Sequence, residues 1–144
     1  MTNQKPSVEL AEHRSKMRHS AAHVLAEVVL DMFPEAQLTI GPPTQDGFYY
    51  DFAVDTPFTP EDLKKIERQM RKSIGRNHPF IEREVTRAEA VEIVKDNRFK
   101  LEILEGIPED EKVTFCAHGD FEDLCRGGHV GSTGEIKAVK LLNT

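Results

Sequence analysis

An α+β fold, with helices packed in a second layer on a largely antiparallel sheet, is what this 144-residue chain predicts. Helix-period and strand-period segments follow one another without regular β-α-β alternation, which disfavours a parallel sheet. The chain is long enough for one core and carries no internal repeat, low-complexity tract or linker. Hydrophobic residues at 38% and charged residues at 31% describe an ordered globular chain and not a disordered tail.

The elements follow in order. Residues 1–12 are polar and unpatterned, a flexible lead-in to one domain over 13–144. A first helix is predicted from about Arg14 to Met32, stopped by Pro34. Leu38 to Ile40 reads as a short strand broken by Gly41-Pro42-Pro43. Asp46-Gly47 is a hairpin-type turn before the aromatic strand Phe48 to Phe52. Thr59-Pro60-Glu61-Asp62 opens a second helix: Thr59 caps it, Pro60 fits its first position, and the acids meet its positive end. Leu63, Ile66, Met70 and Ile74 form its apolar stripe, and Gly75 suits its end. Phe80 to Val85 alternates as a strand, and Thr86 to Glu89 is a capping box for a third helix through about Lys95. Phe99 to Leu104 fits a helical turn and a strand equally. Val113 to Ala117 and Ile136 to Leu142 read as strands around the Gly-rich stretch 127–134.

Composition excludes several functions. No apolar run approaches the ~18–20 residues of a membrane span, and the polar start Met1 to Pro6 is no signal peptide, so no membrane partner and a cytoplasmic location are expected. Two cysteines make no disulfide framework, so Cys116 and Cys125 are read as thiols, Cys116 in the core. A net charge of -6 argues against sequence-blind phosphate binding by this chain alone. The cluster Lys64, Lys65, Arg68, Arg71 and Lys72 reads as a solvated helix face, with a tRNA-facing surface as the alternative.

Within the first helix, His19 and His23 stand four residues apart. At about 100° per residue they fall opposite the main apolar face (Met17, Ala21, Val24, Leu25, Val28, Val29, Met32), beside Ala22, Ala26 and Leu30. The polar strip of Lys16, Ser20, Glu27 and Asp31 is narrow, so most of the circumference is predicted to be covered. The two rings stack one turn apart and can converge on one ligand, metal or water. A second stretch, Cys125 to His129, places a thiol and an imidazole four residues apart beside two glycines. Together His19, His23, Cys125 and His129 give the donor count of a tetrahedral zinc. They suit equally a metal-free hydrolytic site in which imidazoles orient water beside a carboxylate. His13, His78 and His118 are read as structural or exposed.

"HSAAH", "IGPPTQDGFYYDF", "DLCRGGHV" and "GEIKAVKLL", in this order over residues 13–144, resemble the editing domain of threonyl-tRNA synthetases, one branch of the threonyl/alanyl-tRNA synthetase second additional domain family. The alanyl branch more often has Cys-Gly-Gly-Thr-His where this chain has "CRGGH", and the threonyl branch commonly has proline at Gly128. The resemblance implies hydrolysis of the ester in seryl-tRNA(Thr), needed because serine and threonine differ by one methyl, worth only ~1–3 kcal/mol in a pocket. It implies a longer protein with a C-terminal class II catalytic domain that ligates threonine to tRNA(Thr) with ATP; a free-standing editor of mischarged alanine tRNA and a non-catalytic, zinc-stabilised tRNA-docking module are the alternatives.

By motif, the resemblance assigns His19 to the terminal ribose and water, with His23 in support. It puts Cys125 and His129 on the other wall, Asp123 on the substrate amine or water, and Lys100 in water activation and gating. Tyr50 falls at the terminal-nucleotide pocket, and Arg126 counts as substrate-binding. The plainer alternatives are sheet packing for Tyr50, a solvated lysine at position 100, a loop cap for Asp123, and a small buried hydrophobe for Cys125. Alanyl-type relatives bind zinc at the His/Cys cluster and threonyl-type ones resemble a metal-free version, so no essential metal is expected.

Overall fold

The computed structural model describes residues 7–41, 44–125 and 128–143. Helix α1 spans Val8–Met32 and starts earlier than predicted, because the Ser7 hydroxyl accepts from the Leu10 N–H and caps the first turn. The expected lead-in is therefore helical from Val8, and residues 1–6 lie outside the described residues. Near Pro34 the helix closes with the Phe33 N–H bonded to the Val29 carbonyl. Every residue from Ser20 to Ala26 is buried, so α1 is covered on most of its circumference as its wheel predicts, and Ser20 belongs to the covered part.

Strands β1, Gln37–Leu38, and β2, Phe52–Ala53, pair antiparallel. Both are shorter than predicted and displaced towards the open end of their hairpin. Bonds between Thr39, Ile40 and Asp51 continue the pairing, and Thr44 and Gly47 close the expected turn. Gly41 is required here: a Cβ would collide with the Tyr50 ring and the Tyr49 carbonyl.

Helix α2, Pro60–Gly75, opens with the full capping box of Thr59 and Asp62. Its stripe lies on α1 in one apolar cluster with Val24, Val28, Ile66 and Met70, which Val130, Ile136 and Val139 close from the C-terminal side. Lys64, Lys65, Arg68, Arg71 and Lys72 are exposed.

A three-stranded antiparallel sheet in the order β3-β4-β5 is built from β3 (Ile81–Val85), β4 (Val113–His118) and β5 (Phe121–Leu124). Helix α3, Arg87–Val94, is capped by Thr86 as predicted. Residues 99–104 resolve as helix α4, Arg98–Glu105, because the Asn97 side chain accepts from the Phe99 and Lys100 N–H groups. At its other end the Arg87 guanidinium donates to the Leu104, Ile107 and Pro108 carbonyls, satisfying acceptors the helix leaves open. Val85, Ala90, Val94, Leu104, Val113 and Phe115 form a second core between these helices and the sheet.

One strand lies where the sequence predicts none, and two sequence expectations are corrected. Residues 121–124 are a strand, turned back on β4 at Gly119, whose φ is +55. Ile136 to Leu142 is not a strand. After a 3-10 turn at Thr133–Glu135 the segment buries Ile136 and Val139 in the first core. The Leu141 N–H donates 2.7 Å to the Glu67 carboxylate, so its apolar pattern is met by packing and a side-chain acceptor in place of a ladder. Finally, Cys116 and Cys125 are not thiols: they form a disulfide with Cα atoms 6.2 Å apart. The β4–β5 hairpin brings the two together, which their spacing in the chain does not reveal.

Candidate active site

Helix α1, the β1–β2 hairpin, α4 and the β4–β5 hairpin converge on one cavity of about 1010 Å³. His19, His23, Tyr50, Lys100, Asp123 and Cys125 line it. Six of the eight predicted site residues thus share one space although they come from four parts of the chain. His129 stands directly behind them, and Arg126 lies outside the described residues.

One wall is a stack of rings. His129 sits between Phe80, at 4.7 Å between ring centres and 5° between planes, and His19, at 4.2 Å and 19°. His23 meets His129 edge-on at 4.9 Å and 68°. Ser20, between the two α1 histidines, is fully buried; its Oγ lies 2.9 Å from His129 Nδ1 and accepts from the Val130 N–H at 3.0 Å. These contacts fix the ring, whose Nε2 lies 3.6 Å from Cys125 Sγ. Burial, with His19 and His118 nearby, pushes the His129 imidazole down to about 3. Burial, then His129 and His118, pushes His23 well below its ordinary range. Both rings are neutral at pH 7, the state in which imidazole accepts a proton.

The facing wall is ionic. Lys100 Nζ lies 2.9 Å from Asp123 Oδ1 and donates 2.9 Å to the Tyr50 hydroxyl, which donates 2.7 Å to Asp123 Oδ2. The Lys100 and Asp123 side chains are 6% and 8% exposed, so this is a buried pair bridged by the Tyr50 hydroxyl, not a solvated lysine and a loop cap. Burial and the Asp123 carboxylate push the Tyr50 phenol well above its ordinary value, so Tyr50 stays a hydrogen donor.

His19, Cys125 and His129 bring donor atoms within 4.8 Å of one another. The four-donor zinc set does not fit this arrangement. The Cys125 sulfur is bonded to Cys116, and both His23 nitrogens are engaged, one with His118 at 2.9 Å and one with the Cys116 carbonyl at 3.1 Å. Protein isolated without reductant is expected to carry well below one zinc per chain by elemental analysis. A full zinc per chain under those conditions would contradict this donor count.

Sequence reasoning missed Ser20, Glu27, Phe80 and His118. His118, set aside as structural or exposed, is fully buried and touches His23. Strand alternation could have pointed to it, since Cys116 and His118 share one face of β4. Gly128 has φ +85, which the ring of a proline could not reach, so the loop before His129 departs here from the expected pattern.

Comparison with known proteins adds a direction. Residues 113–144 match the family described as "Threonyl and Alanyl tRNA synthetase second additional domain". A threonine–tRNA ligase of Paraburkholderia xenovorans is 51% identical over 128 residues, covering 88% of this chain and 20% of the relative. That of Hahella chejuensis is 51% identical over 133 residues (91% and 21%), and that of Clostridium tetani 48% identical over 134 residues (92% and 21%). The chain spans about a fifth of the length of these curated relatives.

Proposed function

We propose that this chain, similar over most of its length to part of threonine–tRNA ligases, hydrolyses the ester of seryl-tRNA(Thr) as the editing part of such an enzyme. The observation that carries the reading is the cavity itself, with neutral imidazoles on one wall and the Lys100–Asp123–Tyr50 group on the other. A cleft with fixed polar groups on two sides holds an ester and a water in reacting geometry and lowers the entropic part of the barrier.

In this reading the terminal adenosine of the tRNA enters beside Tyr50, and the seryl ester lies between the two walls. The ionised Asp123 receives the amino group of serine in competition with Lys100. His19, on the cavity side of the ring stack, contacts the ribose and the attacking water. His129 and His23 hold that ring in place, and the Cys125 sulfur forms the end of the wall. Arg126 is assigned to the substrate by motif alone. Water adds to the ester carbonyl, and collapse releases serine and the free ribose hydroxyl. No step requires a metal.

The whole enzyme, in the same reading, joins threonine to tRNA(Thr) with ATP through a C-terminal class II domain and works in the cytoplasm. No described helix is long and apolar enough to cross a membrane.

The test is deacylation of seryl-tRNA(Thr) by the purified protein, compared with seryl-tRNA(Ala). Loss of seryl-tRNA(Thr) at least ~100-fold faster than in buffer is expected, and His19→Ala is expected to lower the rate by roughly 100-fold with its thermal melt retained. Activity confined to tRNA(Ala) would turn the reading into the alanine-type editor. An unchanged rate in His19→Ala would remove His19 from the chemistry.

A further inference from the structure

Behind the ring stack stand two polar side chains, one buried and one half-buried, that the hydrolysis above does not use. Glu27 and His118 stand on α1 and β4, and His118 is 1% exposed. Phe80 and Phe121 pack against the His118 and His23 rings, which excludes water and strengthens each polar contact there.

Hydrogen-bond logic fixes where the protons are. His23 Nε2 lies 3.1 Å from the Cys116 carbonyl, which only accepts, so Nε2 carries a hydrogen. The Nδ1 atoms of His23 and His118 are 2.9 Å apart, so one hydrogen lies between them. His118 Nε2 stands 3.2 Å from Glu27 Oε1, off the line of an ideal hydrogen bond but within ion-pair reach. Glu27 also accepts from the Ser73 hydroxyl at 2.5 Å. Burial pushes its carboxyl up, yet the contacts with His118 and Ser73 outweigh this and hold it below its ordinary value. With the one hydrogen of neutral His23 committed to that carbonyl, the hydrogen between the rings belongs to His118, whose Nδ1 donates to His23 Nδ1.

We propose that Glu27 and His118 are positioning residues of this site: His118, held from behind by the Glu27 side chain, donates from Nδ1 to Nδ1 of His23, sets its tautomer and keeps its ring edge-on to His129. His23 then has no nitrogen left for substrate. It acts as a buttress, and the order it imposes reaches His19 through the stacked His129 ring.

The kinetic arm of the test rests on the hydrolytic reading; the spectroscopic arm does not. Ring-nitrogen NMR of the wild-type protein at pH 7 is expected to show His118 protonated at Nδ1 and His23 protonated at Nε2 alone. Glu27→Ala removes the side chain behind His118 and should cost His23 its single tautomer. His118→Leu removes the donor and should lower kcat for seryl-tRNA(Thr) by roughly 10–100-fold while KM stays within about twofold. His118→Asn places an amide N–H near the lost Nδ1 and should recover most of the rate. A His118 bare at Nδ1 or a His23 protonated at Nδ1 in the wild type, or equal losses in the Leu and Asn variants, overturns the proposal. If the wild-type protein leaves the ester intact, the hydrolytic reading fails, and the ring-nitrogen spectra alone then decide whether His118 holds His23.

Discussion

Replacing Lys100 by methionine is expected to destabilise the protein by about 3–5 kcal/mol and to remove seryl-ester hydrolysis. Asp123 Oδ1 accepts from Lys100 and from the Leu124 N–H, each at 2.9 Å, and Oδ2 accepts from Tyr50. Without the ammonium, an acid 7% exposed loses the cation that offsets its burial, and most of the cost is that missing partner. The double variant Lys100→Met with Asp123→Leu should recover much of the stability but none of the activity, because the pair offsets its own desolvation without contributing much net. Urea unfolding of the four proteins of this cycle measures the coupling. A single-variant cost below ~1 kcal/mol would mean that water reaches the pair as it does at a surface.

Acid should unfold this protein early, and His129 is expected to contribute. Its folded value is about 3 against 6.5 for a free imidazole. The unfolded chain therefore binds the proton first as pH falls. Stability from this group is complete above pH 6.5, declines through the window down to about 3, and is lost below it. Each pH unit in that window costs ~1.4 kcal/mol for this ring, so the full loss is on the order of 5 kcal/mol. His23, pushed down in the same direction, adds to the slope. His129→Phe keeps an aromatic ring between Phe80 and His19 but cannot titrate. Its unfolding free energy between pH 6.5 and 4 should fall less steeply, by one proton's worth. Parallel slopes in the two proteins would show that His129 is solvated.

Much of the fold was legible because its signals are local. Thr59, Thr86 and the stop at Pro34 act through bonds within one turn, so α2, α3 and the end of α1 lie close to where the sequence puts them. The misreadings share a cause, which is satisfaction of the backbone by distant groups. Ile136 to Leu142 alternates like a strand, but its apolar side chains meet α1 and α2, and its Leu141 amide meets Glu67. Residues 99–104 were ambiguous because the deciding contacts include Arg87, far upstream.

The site divides in the same way. Spacing alone pairs His19 with His23 and Cys125 with His129, since residues four apart in a helix or short loop are neighbours wherever the segment lies. Lys100 and Tyr50 came from resemblance, and the buried Lys100–Asp123–Tyr50 group has no local signature at all.

By itself the sequence determined the caps of α2 and α3, the stop of α1, the apolar faces and the α+β class, because each depends on neighbours within a turn or two. Tertiary structure alone decided that four separate segments share one cavity, that Cys116 meets Cys125, that both His23 nitrogens are spent, and that Glu27, Ser20 and His118 stand behind the ring stack. Those outcomes turn on the proton positions, burial and charge balance of groups up to a hundred residues apart, and only packing brings such groups within reach of one another.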